Sequence, residues 1–184
     1  MSVMDPRDEL VTHLPAVRAF ALSLTRNRTV ADDMMQDTVL KAWTNMDKFT
    51  PGTNMRAWLF TILRNNFYSS RRKLNREVAD VDNTYSDRLA VKPDHDGRLQ
   101  MSDFKVAFDQ LKDEHREALI LVGASGFSYD DAAEMCGVAP GTMKSRVNRA
   151  RAKLTEMLHL DEDDVLELTD VETLSVVGSP NIPS

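Results

Sequence analysis

The sequence predicts an all-α protein made of two small helical domains. Apolar residues recur at helical spacing along most of the chain, and no segment shows the two-residue alternation of a strand. Prolines fall mostly between these periodic segments. A polar, acidic stretch at 77–100 interrupts the pattern, and a length of 184 residues is enough for two small domains.

The first predicted domain spans residues 1–76 and contains three periodic segments. Thr29 and Asp32 have the spacing of an acidic capping box, which predicts the start of the second helix. A loop containing Pro51 and Gly52 precedes the third helix. The helices are expected at about 7–25, 30–46 and 55–74.

The segment at 77–100 predicts a flexible linker, because it is weakly periodic and contains Pro93 and Gly97. Short helices resume in the second domain, at 101–158, and an acidic tail follows at 159–184. We hypothesise that this tail folds back on the second domain and weakens its binding to nucleic acid electrostatically. The alternative is a solvated, unattached end.

The charge of the chain is segregated, although its formal net value is −6. Residues 139–154 carry five bases and no acid, whereas residues 156–172 carry eight acids and no Lys or Arg. A local row of bases is what phosphate binding requires, whatever the total charge. A charge run taken alone is more often a solvated helix face.

Several classes of protein are disfavoured by the sequence. No run approaches the ~18 apolar residues of a membrane helix, and the acidic, proline-containing N-terminus is unlike a signal peptide. Cys136 is the single cysteine, which excludes an internal disulfide and a cysteine-cluster metal site. Four scattered histidines offer no catalytic arrangement. We therefore predict a cytoplasmic protein that is not an enzyme, with no cofactor, metal, membrane or small-molecule substrate.

The segment from Ser128 onward predicts a helix-turn-helix. Ser128 can cap a helix, with Asp131 three residues on as its capping-box partner. Gly137 follows where a left-handed residue is needed to turn the chain. Pro140 suits the first turn of a second helix. This helix–Gly–helix spacing is typical of modules that place their second helix in the DNA major groove.

The second helix of this motif has one apolar face and one basic face. The apolar positions predict a buried stripe of Met143, Val147, Ala150 and Leu154. Side chains on the other face can contact base edges and phosphates. A basic helix bound to another kind of partner is the alternative. The predicted DNA-contacting residues are Thr142, Lys144, Ser145, Arg146, Arg149 and Arg151.

These residues carry a resemblance to a known family. Gly141-Thr-Met-Lys-Ser-Arg146, Arg149-Ala-Arg151 and Leu154 resemble the −35-recognising helix of extracytoplasmic-function sigma factors, in region 4 of the sigma-70 family. The stretch at 104–126 is similar to the supporting helices of that region. The family usually has Leu-Pro where this chain has Leu111-Lys112, which predicts a change at one helix start.

The second helix of the first domain matches the pattern Asp-Asp-x-x-Gln-Asp-x-x-Leu-x-Ala-Trp, which resembles the core-polymerase site of sigma region 2. The resemblance implies that Asp33, Gln36, Asp37 and Leu40 face the clamp helices of RNA polymerase. Without it, the helix is an ordinary amphipathic one. Its expected apolar stripe, with Trp43 in the core, is Ala31, Met35, Val39, Ala42, Trp43 and Met46.

The third helix carries cations around an aromatic residue. Arg64, Tyr68, Arg71 and Arg72 share a face, and arginines beside a stacking ring suit single-stranded DNA. A solvated basic helix end is the alternative. The resemblance implies that this helix contacts the separated −10 strands, while Thr53 and Asn54 in the preceding loop hold a flipped base. The expected packing face is Trp58, Leu59, Ile62, Leu63 and Phe67.

The phrase PGTNMRAWLFTILRNNFYS resembles the general-stress-response group of this family. That group implies a transcription initiation factor whose partners are core RNA polymerase, promoter DNA with a GGAAC-like −35 element, and a small anti-sigma protein. The same resemblance implies that a response regulator with a sigma-like decoy domain releases the inhibition. Two alternatives remain. One is a decoy that sequesters an anti-sigma factor, which the intact basic helix disfavours. The other is a conventional helix-turn-helix repressor, which the tryptophan-bearing first domain disfavours.

Overall fold

The computed structural model describes residues 5–79, 99–161 and 165. These residues form eight α-helices and contain no strand, which confirms the all-α prediction. Most of the predicted linker and tail lies outside the described residues. The helices are α1 (Pro6–Thr12), α2 (Leu14–Thr25), α3 (Arg28–Thr44), α4 (Met55–Ala79), α5 (Leu99–Asp109), α6 (Asp113–Leu119), α7 (Tyr129–Cys136) and α8 (Pro140–Leu158).

The first expected helix is divided into α1 and α2 at His13. Pro15 has no N–H to donate to the Val11 carbonyl, and its ring clashes with that carbonyl in a continuous helix. The Asp5 side chain caps α1 by accepting a hydrogen bond from the Arg7 backbone N–H at 2.9 Å. The chain leaves α2 through Arg26, whose φ is 56°.

The predicted capping box of Thr29 and Asp32 is wrong, because α3 begins at Arg28 and is capped by Asn27. The Asn27 Oδ1 accepts from the Val30 N–H at 3.1 Å. Asp32 instead accepts a 2.7 Å hydrogen bond from Arg18 Nε, which joins α2 to α3. That hydrogen bond holds the pKa of Asp32 below its ordinary value.

The buried face of α3 differs from the predicted stripe. Met34 and Thr38 are buried between Ala31 and Ala42, whereas Met35 and Val39 are only partly covered. Thr38 donates to the Met34 carbonyl at 2.8 Å and accepts from Asn66 Nδ2 at 3.3 Å. A hydroxyl with both partners is tolerated in the core.

The apolar stripe predicted that Trp43 lies in the core. This prediction is wrong, because 48% of the residue is exposed. The Arg7 guanidinium lies 4.9 Å from the centroid of its ring. A cation over an indole face is a favourable contact at a solvated site. Trp43 therefore belongs to the outer surface of α3.

The long helix α4 completes the first domain. Leu59, Leu63 and Phe67 are buried along it, as predicted, and Trp58 and Ile62 are partly buried. Phe60 stacks on Phe20 of α2 with ring centroids 4.5 Å apart.

The second domain consists of α5 to α8, with a π-helical turn at Ile120–Ala124 after α6. Phe104 and Phe108 stack across its core at 5.9 Å. Lys112 precedes α6 without a side-chain cap, at the position where the family usually has proline. The predicted buried stripe of α8 is confirmed, since each member is fully buried: Met143, Val147, Ala150 and Leu154.

The two domains pack against each other and share one apolar core. Phe127 of the second domain meets the ring of Phe60 edge-on at 5.8 Å. Arg116 is fully buried and donates to the carbonyls of Ser23 and Leu24, each at 3.1 Å. Arg116 therefore satisfies the C-terminal carbonyls of α2, which have no partner within that helix.

Within the tail, Val165 is 1% exposed and belongs to the core, and its N–H donates to the Asp161 carbonyl at 3.1 Å. The electrostatic hypothesis for the remainder of the tail concerns residues outside the described part of the chain. None of the helices described is long and apolar enough to cross a membrane.

Candidate nucleic-acid interface

Helices α7 and α8 form the predicted helix-turn-helix. Ser128 Oγ accepts from the Asp131 N–H at 3.0 Å, which caps α7. Gly137 ends the helix with φ 66°, in the left-handed region that favours glycine. The Val138 N–H then donates to the Ala133 carbonyl at 3.0 Å, closing the turn. Pro140 is the first residue of α8, so the Ser128 cap, the Gly137 turn and Pro140 have the structural roles that the sequence predicts.

The outer face of α8 presents most of the predicted DNA-contacting residues to solvent. Thr142, Lys144, Ser145 and Arg149 are exposed, whereas Arg151 is partly covered. Arg146 is held back, since its side chain is 18% exposed and its Nη2 lies 3.1 Å from Glu114 Oε2 of α6. Two of the four predicted bases, Arg146 and Arg151, are therefore less accessible than the sequence indicates.

The outer face of α3 carries the four residues assigned to polymerase binding. Asp33, Gln36, Asp37 and Leu40 are all exposed, and Leu40 is 66% accessible. The sequence missed Trp43, which extends the same surface one turn further. An apolar residue among exposed polar ones is the usual composition of a small protein-binding surface.

The loop before α4 is a tight turn. Pro51 and Gly52 occupy its centre, Gly52 has φ 86°, and the Thr53 N–H donates to the Thr50 carbonyl at 3.2 Å, as in a type II turn. Thr53 Oγ1 also donates to that carbonyl at 2.7 Å. Asn54 Oδ1 accepts from the Ala57 N–H at 3.0 Å and thereby caps α4. Both predicted base-holding side chains therefore have local structural roles.

A cleft of about 380 Å³ lies between α3 and α4, and the sequence analysis missed it. Five of the eight residues that line it are asparagines or lysines. Lys41 Nζ contacts Asn66 Oδ1, and Lys48 Nζ donates to Asn45 Oδ1 at 2.6 Å. The adjacent pair Asn65-Asn66, unusual inside a helix, was the available signal. We call this cavity between α3 and α4 the amide cleft. It is lined by Lys41, Asn45, Lys48, Trp58, Ile62, Asn65, Asn66 and Ser69.

Arg64 and Tyr68 do not face solvent but meet Glu117 of the second domain. Arg64 Nε lies 2.6 Å from Glu117 Oε1, and the Tyr68 hydroxyl donates to Oε2 at 3.1 Å. Burial raises the pKa of Glu117, an effect that Arg64 and Tyr68 partly offset. Cys136 lies in the same cluster, and its burial together with the Glu117 charge raises the pKa of the thiol to about 12.

The ion pair in this cluster is imperfect. Arg64 Nε and Glu117 Oε1 are both buried and have no aligned hydrogen-bond partner, despite their short separation. Arg71 Nη2 lies 2.8 Å from Asp113 Oδ2, whereas Arg72 is exposed. Three of the four α4 residues assigned to the −10 strand thus contact the second domain. Among the described residues, no group of His, Cys, Asp or Glu is placed to hold a metal ion.

Comparison with known proteins identifies the family. The sigma-70 region 2 model matches residues 10–77, and the sigma-70 region 4 model matches residues 103–154. The ECF RNA polymerase sigma factor EcfG of Rhodopseudomonas palustris is 54% identical over 155 residues, which are 84% of this chain and 86% of the relative. The chain is an extracytoplasmic-function sigma factor. It is a transcription initiation factor, as predicted, in preference to a decoy or a repressor.

Other similar proteins agree with this assignment. The sigma factor CarQ of Myxococcus xanthus is 31% identical to this sigma factor, over 82% of this chain and 87% of the relative. The sigma factor RpoE of Bartonella quintana, solved in complex with the anti-sigma factor NepR, is 53% identical, with a TM-score of 0.72. The match covers 84% of this chain and 96% of that one.

Proposed function

We propose that this sigma factor binds core RNA polymerase through the exposed face of α3, recognises the −35 element with α8, and holds a separated −10 strand on α4. It acts in the cytoplasm and makes or breaks no covalent bond. The observation that carries the proposal is the row of exposed polar and basic side chains on α8, presented by an intact helix-turn-helix. Promoter melting then follows from the binding energy of the captured strand.

Recognition of the −35 element rests on the outer residues of α8. Their side chains lie near the N-terminal half of the helix, which in helix-turn-helix proteins enters the major groove. Arginine there can donate to guanine O6 and N7 or to a phosphate. Lys144 and Arg149 are the exposed bases of this half, so they are assigned the strongest contacts.

Arg149→Ala should weaken binding to a duplex carrying a GGAAC-like element by about 1–3 kcal/mol. Fluorescence anisotropy at several salt concentrations measures both the affinity and its salt dependence. A base contact makes the loss larger on this duplex than on a scrambled one, whereas a phosphate contact lowers the salt slope by about one. Arg28→Ala, at an exposed arginine of the first domain, is the matched control. Equal affinity of the two variants would contradict the assignment.

The amide cleft is the place we assign to a base extruded from the −10 element. Its volume of about 380 Å³ lies in the range of small-molecule sites, and amides can pair with the polar edge of a base. The ring of Trp58 in its wall offers an apolar surface. Extrusion costs a few kcal/mol of lost stacking, which contacts in such a cleft offset.

Asn65→Ala should weaken binding of the polymerase holoenzyme to a fork-shaped −10 probe by about 1 kcal/mol, the usual value of one hydrogen bond. Asn65 is exposed in the cleft, so its replacement leaves the core intact. If its amide contacts a base, the loss disappears when one nucleotide of the probe is made abasic. Asn75→Ala, exposed further along α4, should have no effect. An Asn65 effect that persists on every abasic probe rejects base contact.

Inhibition by a small anti-sigma protein is proposed from the relatives. The Bartonella sigma factor, 53% identical to this one, was solved with the anti-sigma factor NepR. The resemblance to the general-stress-response group supports the same kind of partner here, with release under stress. Co-purification from unstressed cells would identify it.

Transcription by reconstituted holoenzyme tests the proposal as a whole. Purified sigma factor is added to core polymerase with genomic template, in the absence of any anti-sigma protein. Discrete transcripts that depend on the sigma factor are expected. Their absence on every template, with a known sigma factor active in parallel, rejects the proposed function.

A further inference from the structure

The face of α4 assigned to the −10 strand is covered by acids of α6. Glu117 lies on Arg64 and Tyr68, and Asp113 lies on Arg71. Guanidinium and hydroxyl groups hold carboxylate oxygens with the same geometry they use for phosphate oxygens. The two carboxylates therefore occupy the positions that phosphates of a bound strand need.

Acids also face the other end of this surface. A cleft of about 450 Å³ separates the turn before α4 from α7. Thr53 and Asn54 line it on the first domain, and Asp131 and Glu134 line it on the second. Two carboxylates at this opening disfavour entry of a phosphodiester chain by like-charge repulsion. Carboxylates of the second domain thus border the −10 surface along its length.

Contacts outside the DNA surface hold the two domains in this arrangement. In addition to the Arg116 bonds to α2, Arg26 Nη1 donates to the Asp109 carbonyl at 2.7 Å. Arg56 Nη2 donates to the Ser125 carbonyl at 2.6 Å and lies over the ring of Phe127. Three guanidinium groups on backbone carbonyls specify one placement of the domains.

The cluster of Arg64, Tyr68 and Glu117 at the domain interface contains an ion pair whose geometry favours separation of the domains. Arg64 Nε and Glu117 Oε1 are buried without an aligned hydrogen bond, and a buried ion pair recovers its desolvation cost only when its geometry is good. Separation returns both groups to water or to DNA. Meanwhile Lys144 and Arg149 on α8 stay exposed, so this packed arrangement of the two domains, which we call the closed state, covers only one of the two DNA surfaces.

We propose that the free sigma factor inhibits itself, with Asp113 and Glu117 occupying the −10 surface in place of DNA phosphates. The −10 strand binds only after the domains separate, whereas −35 duplex binds in either state. This rests on the proposed role of α4 and adds to it a self-inhibited state that requires no partner protein.

Glu117→Gln tests the closed state, because it removes the charge and retains the shape. The free, full-length protein is titrated with two fluorescein-labelled probes, oligodeoxythymidine and a duplex with a GGAAC-like element. Affinity for the single strand should rise about fivefold or more as the open fraction grows, while duplex affinity stays level. X-ray scattering should show a larger radius of gyration. Asp113→Asn, at the other ion pair, should act in the same direction.

Asp130→Asn is the matched control, since it removes one exposed carboxylate from α7 of the same domain. Unchanged single-strand affinity in both interface variants, with helical circular dichroism retained, overturns the proposal. An equal gain in Asp130→Asn also overturns it, because net charge then explains the effect. If Glu117→Gln loses helical signal, Asp113→Asn decides. Wild-type transcription reports separately on the proposed function, so the two can fail independently.

Discussion

Leu40→Ala should weaken the complex with core RNA polymerase by about 2 kcal/mol or more, roughly thirtyfold in Kd. Leu40 is the most exposed of the large apolar residues noted on the described surface, at 66%. Exposed carboxylates and an amide surround it on α3. An apolar residue that enters a pocket at the centre of a polar rim typically contributes most of the binding energy. Titration of labelled sigma factor with core polymerase measures the loss.

Val106→Ala provides the control, because Val106 is an exposed aliphatic residue of α5 in the second domain, at 39%. Asp37→Asn should have a smaller effect that fades at high salt, as expected for a solvated charge at the rim. Equal affinities of Leu40→Ala and Val106→Ala would remove α3 from the proposed polymerase surface.

Arg116→Ala should lower the free energy of unfolding by about 3–5 kcal/mol. The fully buried guanidinium donates to carbonyls of Ser23, Leu24 and Leu111 and pairs with Asp113. Its removal leaves these acceptors without a donor inside the core. Denaturant unfolding followed by circular dichroism measures the change. Arg116→Lys should recover little, because one ammonium cannot replace a planar fork with several donors.

Arg72→Ala is the comparison, since Arg72 is exposed on α4, and surface changes of this kind usually stay within about 0.5 kcal/mol. An Arg116→Ala protein as stable as Arg72→Ala would mean that water satisfies the carbonyls in its place. The domain contact would then not depend on this side chain.

The helix-turn-helix could be predicted from the sequence because each of its signals is local. Ser128 caps its own helix, Gly137 provides its own left-handed turn, and Pro140 fixes its own backbone angle. The buried stripe of α8 follows from residue spacing alone. Such features depend on neighbours within about one helical turn, so distant parts of the chain do not alter them.

What the sequence did not indicate concerns residues whose environment is set by distant partners. Thr38 is buried because Asn66 satisfies its hydroxyl, and Trp43 is exposed because Arg7 covers only part of its ring. Arg64 and Tyr68 were assigned to the −10 strand, and the sequence did not indicate that Glu117 of the second domain lies on both. Periodicity places a side chain on a face of its helix and does not indicate which other helix packs there.

The reactivity of the Cys136 thiol can report on how fast the two domains separate. It is the single cysteine of the chain, it is buried, and its thiol is held protonated beside Glu117. Only the thiolate reacts with an alkylating reagent, so the closed protein is protected twice, by access and by protonation. We therefore expect the alkylation rate of Cys136 to follow the rate at which the domains separate. Mass spectrometry measures that rate in wild-type protein, with polymerase, DNA or an inhibitor added.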